Sequence, residues 1–168
     1  MMDKGIGFSR TILLDWLDVT ASMCVQKMEP LTIRQRLADT ISGTVTGTDA
    51  QRKTIDVLSA IWVKTAKTTP RIHQEALALF PTLSSSDERL WLHYGLTLVC
   101  YPFFRKCVAA IGQTSRTEEI ITRKMIKDRI AGEYGHLGAL DRSVERIICL
   151  LYTSDAADDL LCVNLGGR

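Results

Sequence analysis

The chain has 168 residues, of which 46% are hydrophobic and 24% are charged, and its formal net charge is +2. This length suffices for one domain of ordinary size or two very small ones, and the slight positive charge permits an anionic partner without requiring one. Only Cys24, Cys100 and Cys107 precede residue 149, and they form no Cys-x-x-Cys pair, which argues against a disulfide framework or a structural zinc site and favours a reducing cytoplasm.

Helical spacing of apolar residues dominates the chain, and few stretches alternate apolar with polar residues. The sequence therefore predicts an all-α fold, with a helical bundle followed by a C-terminal helix-turn-helix module. The N-terminal segment reaches Asp15 and Asp18 too early to hold the apolar core of a secretion signal, so we expect no export. A first helix is predicted over 9–27, and a second over 32–42 begins after the break at Pro30.

Two capping-box patterns predict where later helices begin. Thr48 followed by Gln51 predicts the start of a third helix, and Ser85 followed by Glu88 predicts the start of the most apolar helix. Between them, Pro70 is suited to the first turn of a short helix.

The most apolar helix, predicted over 88–101, is expected to form the buried centre of the bundle. Its apolar run, 90–104, is too short to cross a bilayer, so we predict no membrane partner. Pro102 predicts a kink, after which the helix is expected to continue to Ile111.

Beyond Gly112, two helices joined by a short glycine-containing turn indicate a helix-turn-helix. Thr122 is predicted to cap a helix over 123–134, which Gly135 ends, and a second helix is predicted from 141 or 142 onward. In this motif the second helix lies in the major groove of DNA.

Seven polar side chains carry the predicted contacts to double-stranded DNA. Basic residues of the first helix are expected to hold phosphates, and residues in the first turns of the second helix are expected to reach base edges. The phosphate set is Arg123, Lys124, Lys127 and Arg129, and the base set is Arg142, Ser143 and Arg146. Nearby acidic residues nearly balance these charges, so the segment is not a strongly basic stripe.

The stretch TRKMIKDRIAGEYGHLGALDRSVERII, residues 122–148, resembles the helical part of winged-helix domains in bacterial DNA-associated proteins. In that family a β-hairpin wing follows the recognition helix. The whole order of a helical N-terminal part, the aromatic segment YPFFR at 101–105 and a terminal winged helix is similar to the BrxA family, accessory proteins of bacterial phage-exclusion (BREX) systems. The resemblance implies non-catalytic DNA binding in phage defence, with a protein partner in a larger complex.

The last twenty residues, CLLYTSDAADDLLCVNLGGR at 149–168, resemble a translated sequencing adapter. In one reading frame, the transposase mosaic end used for library preparation encodes this peptide as far as Asp158, and a flow-cell primer encodes the final residues with one change, at Asn164. We therefore expect the native C-terminus to be missing and exclude this segment from the predicted fold. Without it the net charge rises from +2 to +4. The predicted organisation is a helical domain over 1–111, a truncated helix-turn-helix module over 112–148 and an artefactual tail.

No motif in the sequence indicates chemistry, so we predict that the protein is not an enzyme and has no catalytic, cofactor or metal site. Glu133 and His136 have the Glu-x-x-His spacing of di-iron bundles, but those sites need two copies and only one is present. An alternative function stays open: a helical protein-interaction subunit, in which the helix-turn-helix is a packing motif without nucleic-acid contact.

Overall fold

The computed structural model describes residues 10–118, 120–134, 143–145, 147 and 160–161. This part of the chain is mostly helical, which confirms the predicted all-α class. The chain divides into two compact units, one spanning Arg10–Cys100 and the other formed by residues from Tyr101 onward.

The N-terminal unit contains six α-helices. They are α1 (Leu14–Val25), α2 (Pro30–Ser42), α3 (Thr48–Ser59), α4 (Thr65–Thr68), α5 (Pro70–Leu79) and α6 (Ser86–Cys100). A π-helical segment, Ala60–Lys64, joins α3 to α4, and a short 3-10 turn, Phe80–Thr82, follows α5. The largest fully buried side chains of the unit are apolar: Ile33, Leu37, Ile41, Leu58, Ile61, Trp62 and Leu96.

One of the two predicted capping boxes is confirmed. The backbone amide of Glu88 donates to Ser85 Oγ at 3.2 Å, and Glu88 Oε2 accepts the backbone amides of Ser85 and Ser84 at 3.1 and 3.0 Å. These amides stabilise the charged form and lower the pKa of Glu88. At the other, the predicted helix start is confirmed because α3 begins at Thr48, but the capping box does not form: Gln51 Nε2 donates to the Val45 carbonyl at 2.8 Å.

The predicted central position of α6 is wrong. Only His93, Leu96 and Thr97 of this helix are buried, whereas Trp91 is 70% exposed. The helix packs against α1, α5 and the π-helical segment on one side, and its apolar sequence continues around the opposite side.

Among the described residues, no single helix is both long enough and apolar enough to cross a membrane. Helix α6 and the helix after it, Pro102–Thr114, satisfy the length and composition criteria only when they are counted together.

The C-terminal unit contains α7 (Pro102–Thr114), strand β1 (Ile121–Thr122), α8 (Arg123–Tyr134) and strand β2 (Leu160–Leu161). The two strands pair antiparallel, with Ile121 opposite Leu161 and Thr122 opposite Leu160. Strand β2 lies in the adapter-like segment. Its pairing uses backbone groups that any residue except proline supplies, so the adapter resemblance stays a prediction.

Helix α6 ends before Pro102 and a separate helix begins there, whereas a kink within one helix was predicted. Tyr101 has an extended backbone, with φ −118° and ψ 96°, because a residue that precedes proline is disfavoured from the helical conformation. Helix α7 then packs against α8 and buries Phe103 and Phe104. Therefore α7 belongs to the compact unit that begins at Tyr101, and the predicted domain boundary after 111 stays a prediction.

The first helix of the predicted helix-turn-helix has the predicted bounds. Thr122 caps it, since its Oγ1 accepts the backbone amide of Met125 at 3.2 Å. Residues 143–145 and 147 are also helical, and Val144 and Ile147 are fully buried, as their apolar character predicted. The connection, 135–142, lies outside the described residues, so the helix-turn-helix arrangement stays a prediction.

A buried histidine joins three elements of the N-terminal unit. Trp62 Nε1 donates to His93 Nδ1 at 2.9 Å, and His93 Nε2 lies 2.8 Å from Asp18 Oδ1. Because Nδ1 accepts a hydrogen bond, the ring proton must sit on Nε2 and the imidazole is neutral. Arg89 Nε donates to the other oxygen of Asp18 at 3.0 Å. Thus one continuous hydrogen-bond network joins α1, α6 and the π-helical segment.

Burial of His93 supports this assignment. Only 1% of the residue is exposed, and burial lowers the pKa of His93 although the hydrogen bond to Asp18 opposes the shift. Protonation would also require Nδ1 to release the indole of Trp62.

Replacing Asp18 with alanine should destabilise the protein by about 2–3 kcal/mol, because it leaves the buried donor of His93 and the partly buried Nε of Arg89 without an acceptor. Chemical denaturation followed by circular dichroism measures the loss. Glu75→Ala is the matched control, since it removes a carboxylate from the exposed Arg71–Glu75 pair, and its midpoint should barely change. Equal losses in both variants would contradict the structural role of Asp18.

Stability should fall as the pH drops below about 6.5, the pKa of histidine in an unfolded chain. The pKa of His93 is lowered in the folded protein, so the unfolded chain binds the proton more readily and acid favours unfolding. Burial also lowers the pKa of His73, which adds an effect of the same sign. Unfolding free energies measured between about pH 8 and 5 should show the decline, and His93→Gln should reduce its slope. A slope that this variant leaves unchanged would contradict the assignment.

Candidate nucleic-acid interface

Basic side chains are concentrated on α7 and α8. The two helices together carry six Lys or Arg residues and two Asp or Glu residues. Four of the six are the predicted phosphate contacts on α8, and the other two, Arg105 and Lys106, lie on α7.

Three of the four basic residues of α8, Lys124, Lys127 and Arg129, each have a hydrogen-bonding partner. Lys124 Nζ donates to Asp128 Oδ2 at 2.6 Å within the helix, and Arg129 donates to Gln113 Oε1 of α7, also at 2.6 Å. Their partners lie in different elements, because residues 124 and 129 fall on different sides of the helix.

Lys127 contacts the helical residues that follow α8. Its ammonium group pairs with the carboxylate of Glu145, and the Lys127 side chain is 26% exposed. This ion pair connects α8 to the predicted recognition helix. Consequently Lys124, Lys127 and Arg129 do not form a single basic face.

Arg123 occupies the first turn of α8 and is only partly exposed. Its Nε atom is buried and has no hydrogen-bond partner within the described part of the chain. A buried donor of this kind is uncommon in folded proteins. The location at a helix N-terminus favours negatively charged groups nearby.

Of the three predicted base contacts, only Ser143 lies within the described residues. Ser143 is completely buried, so its hydroxyl does not face solvent, and a base contact would require the side chain to move. Arg142 and Arg146 lie outside the described residues. The base-reading role of this set stays a prediction.

Two basic residues were not included in the predicted site. Arg105 is exposed near the start of α7, and Lys106 Nζ donates to Glu133 Oε2 of α8 at 3.3 Å. They border a groove of about 300 Å³ between the two helices, which is lined by Arg105, Lys106, Ala109, Ala110, Gln113 and Glu133. The adjacent Arg-Lys pair was visible in the sequence, but its position beside α8 depends on the break at Pro102.

Replacing the acidic partner of an exposed ion pair in this region with a phosphate group costs little free energy. A surface pair contributes about 0–1 kcal/mol, because water and salt screen it. Side chains of the Lys106–Glu133 pair are 55% and 54% exposed, and those of Lys124–Asp128 are 84% and 59% exposed. The arrangement can therefore bind a phosphate backbone, although acidic partners must be displaced.

The side chains of His93 and of the cysteines in the described residues are buried or hydrogen-bonded. The described residues contain no group of three His, Cys, Asp or Glu side chains that could hold a metal ion. Both ring nitrogens of His93 are already hydrogen-bonded, so His93 cannot serve as a general base without breaking its buried hydrogen bonds to Trp62 or Asp18. Burial raises the pKa of Cys24 and Cys100 to about 11 and that of Cys107 to about 12, which keeps these thiols protonated.

Comparison of the chain with family models, curated proteins and solved structures gives no match. The resemblances to winged-helix domains and to the BREX accessory family therefore stay predictions.

Proposed function

We propose that the protein is a non-catalytic DNA-binding protein or accessory subunit that contacts the phosphates of double-stranded DNA through α7 and α8. The observation that carries this proposal is the uneven distribution of charge. Helices α7 and α8 have six basic and two acidic residues, whereas the N-terminal unit, Arg10–Cys100, has ten and nine, and residues 101–148 as a whole have nine and six. An excess of positive charge on one small region is the electrostatic requirement for phosphate contact.

The order of elements in the C-terminal unit supports the same proposal. Helix α8 is followed along the chain by the helical residues 143–145 and 147, which belong to the predicted recognition helix. The helical part of a winged-helix domain has this order along the chain. Within the proposal, Arg142 and Arg146 read base edges, and the α7–α8 region fixes the orientation on the duplex.

A cytoplasmic location, a protein partner in a larger complex and a role in phage defence belong to the same proposal. They rest on the sequence resemblance to BREX accessory proteins and on the cysteine pattern.

A second candidate function is a helical protein-interaction subunit that does not contact nucleic acid. The exposed face of α6 favours it, because Trp91 and Leu90 are 70% and 38% exposed there. Large aromatic side chains on a surface are typical anchors of protein interfaces.

Replacing both Arg105 and Lys106 with glutamine should weaken DNA binding, and the loss of affinity should be similar for duplexes of unrelated sequence. The salt slope of binding, which is the change in log affinity with log salt concentration, should fall by about 2 because each phosphate contact contributes about 1. Fluorescence anisotropy over a series of salt concentrations measures both effects. Lys67→Gln with Arg71→Gln is the control, since it removes the same charge from the N-terminal unit.

Two results would contradict the proposal. The control pair could weaken binding as much as the α7 pair, which would indicate attraction by net charge alone. Alternatively, the folded protein could fail to bind DNA at low salt, in which case the protein-interaction function would take its place.

Replacing Glu145 with glutamine should tighten DNA binding several-fold, because the ammonium group of Lys127 then loses the carboxylate that competes with phosphate. Anisotropy titrations at one fixed salt concentration make the comparison. Glu75→Gln changes the net charge equally but lies in the N-terminal unit, so it should leave the affinity nearly unchanged. Equal tightening in both variants would show that Lys127 is not a specific phosphate contact.

A further inference from the structure

The groove between α7 and α8 follows the axis of α7. Arg105, Ala109 and Gln113 line it at four-residue spacing, so they form one row along that helix. Lys106 and Ala110 form a second row beside the first. Charged or polar side chains thus stand at both ends of the groove, and small side chains stand between them. We call it the α7–α8 groove.

Each end of the α7–α8 groove has a hydrogen-bond donor that is not yet used. The guanidinium group of Arg105 and the side-chain nitrogen of Gln113 have no hydrogen-bonding partner within the described part of the chain. Gln113 Oε1 already accepts from Arg129 at 2.6 Å, so the nitrogen is the end of the amide that is left for a ligand. The groove therefore offers donors, which a ligand rich in acceptor oxygens would satisfy.

Charge favours an anion as that ligand. Arg105 and Lys106 line the groove, and Arg129 adjoins it through its hydrogen bond to Gln113. Glu133 is the one acidic side chain among the described residues that line it. Glu133 pairs with Lys106 at 3.3 Å, but both side chains are more than half exposed, so water and salt screen the pair. An incoming anion can therefore take the place of this carboxylate.

The length of the groove favours a chain of anionic groups over a single one. Arg105 and Gln113 are eight residues apart, which is about 12 Å along a helix. One phosphate group cannot reach donors at both ends, whereas successive phosphates of a nucleic-acid strand can. Ala109, between the two ends, is exposed and presents only a methyl group, so a strand can approach the helix closely there.

We propose that one strand of a DNA duplex lies lengthwise in the α7–α8 groove. Its phosphates contact Arg105 and Lys106 at one end of the groove, and Gln113 and Arg129 at the other. This inference rests on the DNA-binding function proposed above, and it adds Gln113 and the space over Ala109 to the contacts. The groove measures about 300 Å³, the lower end of the range for small-molecule pockets, which suits the backbone of one strand. Such contacts position the duplex without selecting its sequence.

Gln113→Glu tests the donor at the far end of the groove. The new side chain keeps an oxygen that accepts from Arg129 but replaces the donor nitrogen with a negatively charged oxygen. Fluorescence anisotropy of a labelled duplex with the full 168-residue chain should show binding at least about tenfold weaker, because like charges then meet inside the contact. Gln74→Glu is the matched control. It changes the net charge equally at an exposed position of α5, and its effect should be small.

Ala109→Leu tests the space in the groove without changing any charge. The longer side chain should weaken binding several-fold, because it occupies the place of the strand. Ala78→Leu adds the same bulk at an exposed position of α5 and should leave the affinity unchanged. Leucine is nearly as good a helix former as alanine, so the thermal midpoints of both variants, measured by circular dichroism, should stay close to that of the parent.

Three results would overturn the proposal. If the duplex binds but Gln113→Glu or Ala109→Leu behaves like its control, the strand lies elsewhere, while DNA binding itself stands. If the folded chain binds no duplex at low salt, the DNA-binding function and the groove proposal are both wrong. If unlabelled polyglutamate displaces the labelled duplex as well as unlabelled DNA does, the groove binds acidic protein chains instead of a DNA strand.

Discussion

One neutral imidazole holds the N-terminal unit together. His93 accepts a hydrogen bond from Trp62 at one nitrogen and donates one to Asp18 at the other, and each partner belongs to a different helical element. The ring of Phe80 completes the cluster, with centroids 5.8 Å from Trp62 and 5.9 Å from His93. A buried imidazole without both partners would leave a polar nitrogen unsatisfied, at a cost of about 1–3 kcal/mol. The positions of α1, α6 and the π-helical segment are therefore interdependent.

This constraint also determines what α6 presents to solvent. Because His93, Leu96 and Thr97 must face inward, Trp91 and Gly95 are carried to the opposite side. The same apolar helix thus supplies part of a core and an exposed surface. In the C-terminal unit, α7 and α8 also have an apolar core, which includes Phe103, Phe104 and Ile126, and their surface basic residues are paired with Glu133, Asp128 and Glu145. In the two functions proposed above, the units contact different partners: an apolar protein surface for one and a phosphate backbone for the other.

The sequence predicted most accurately the features that depend on residues close together in the chain. Ser85 with Glu88 and Thr122 with Met125 form caps at the expected places, because a cap needs only residues a few positions apart. The exposed side of α6, the π-helical turn at Trp62 and the β1–β2 pair depend on contacts between distant residues, which helical spacing does not encode. For the candidate site, residue types indicated phosphate contact by α8. Only the three-dimensional structure shows that Lys127 and Arg129 are held by hydrogen-bonding partners. It also shows that Ser143 is buried.

The most direct test of DNA contact by α8 is a titration of ¹⁵N-labelled protein with a short DNA duplex, followed by amide chemical shifts. We expect progressive shifts at Arg123–Arg129 and around Arg105 and Lys106, with the amides near His93 unchanged. Shifts confined to α6, or no shifts at low salt in a folded protein, would contradict DNA binding and favour the protein-interaction function.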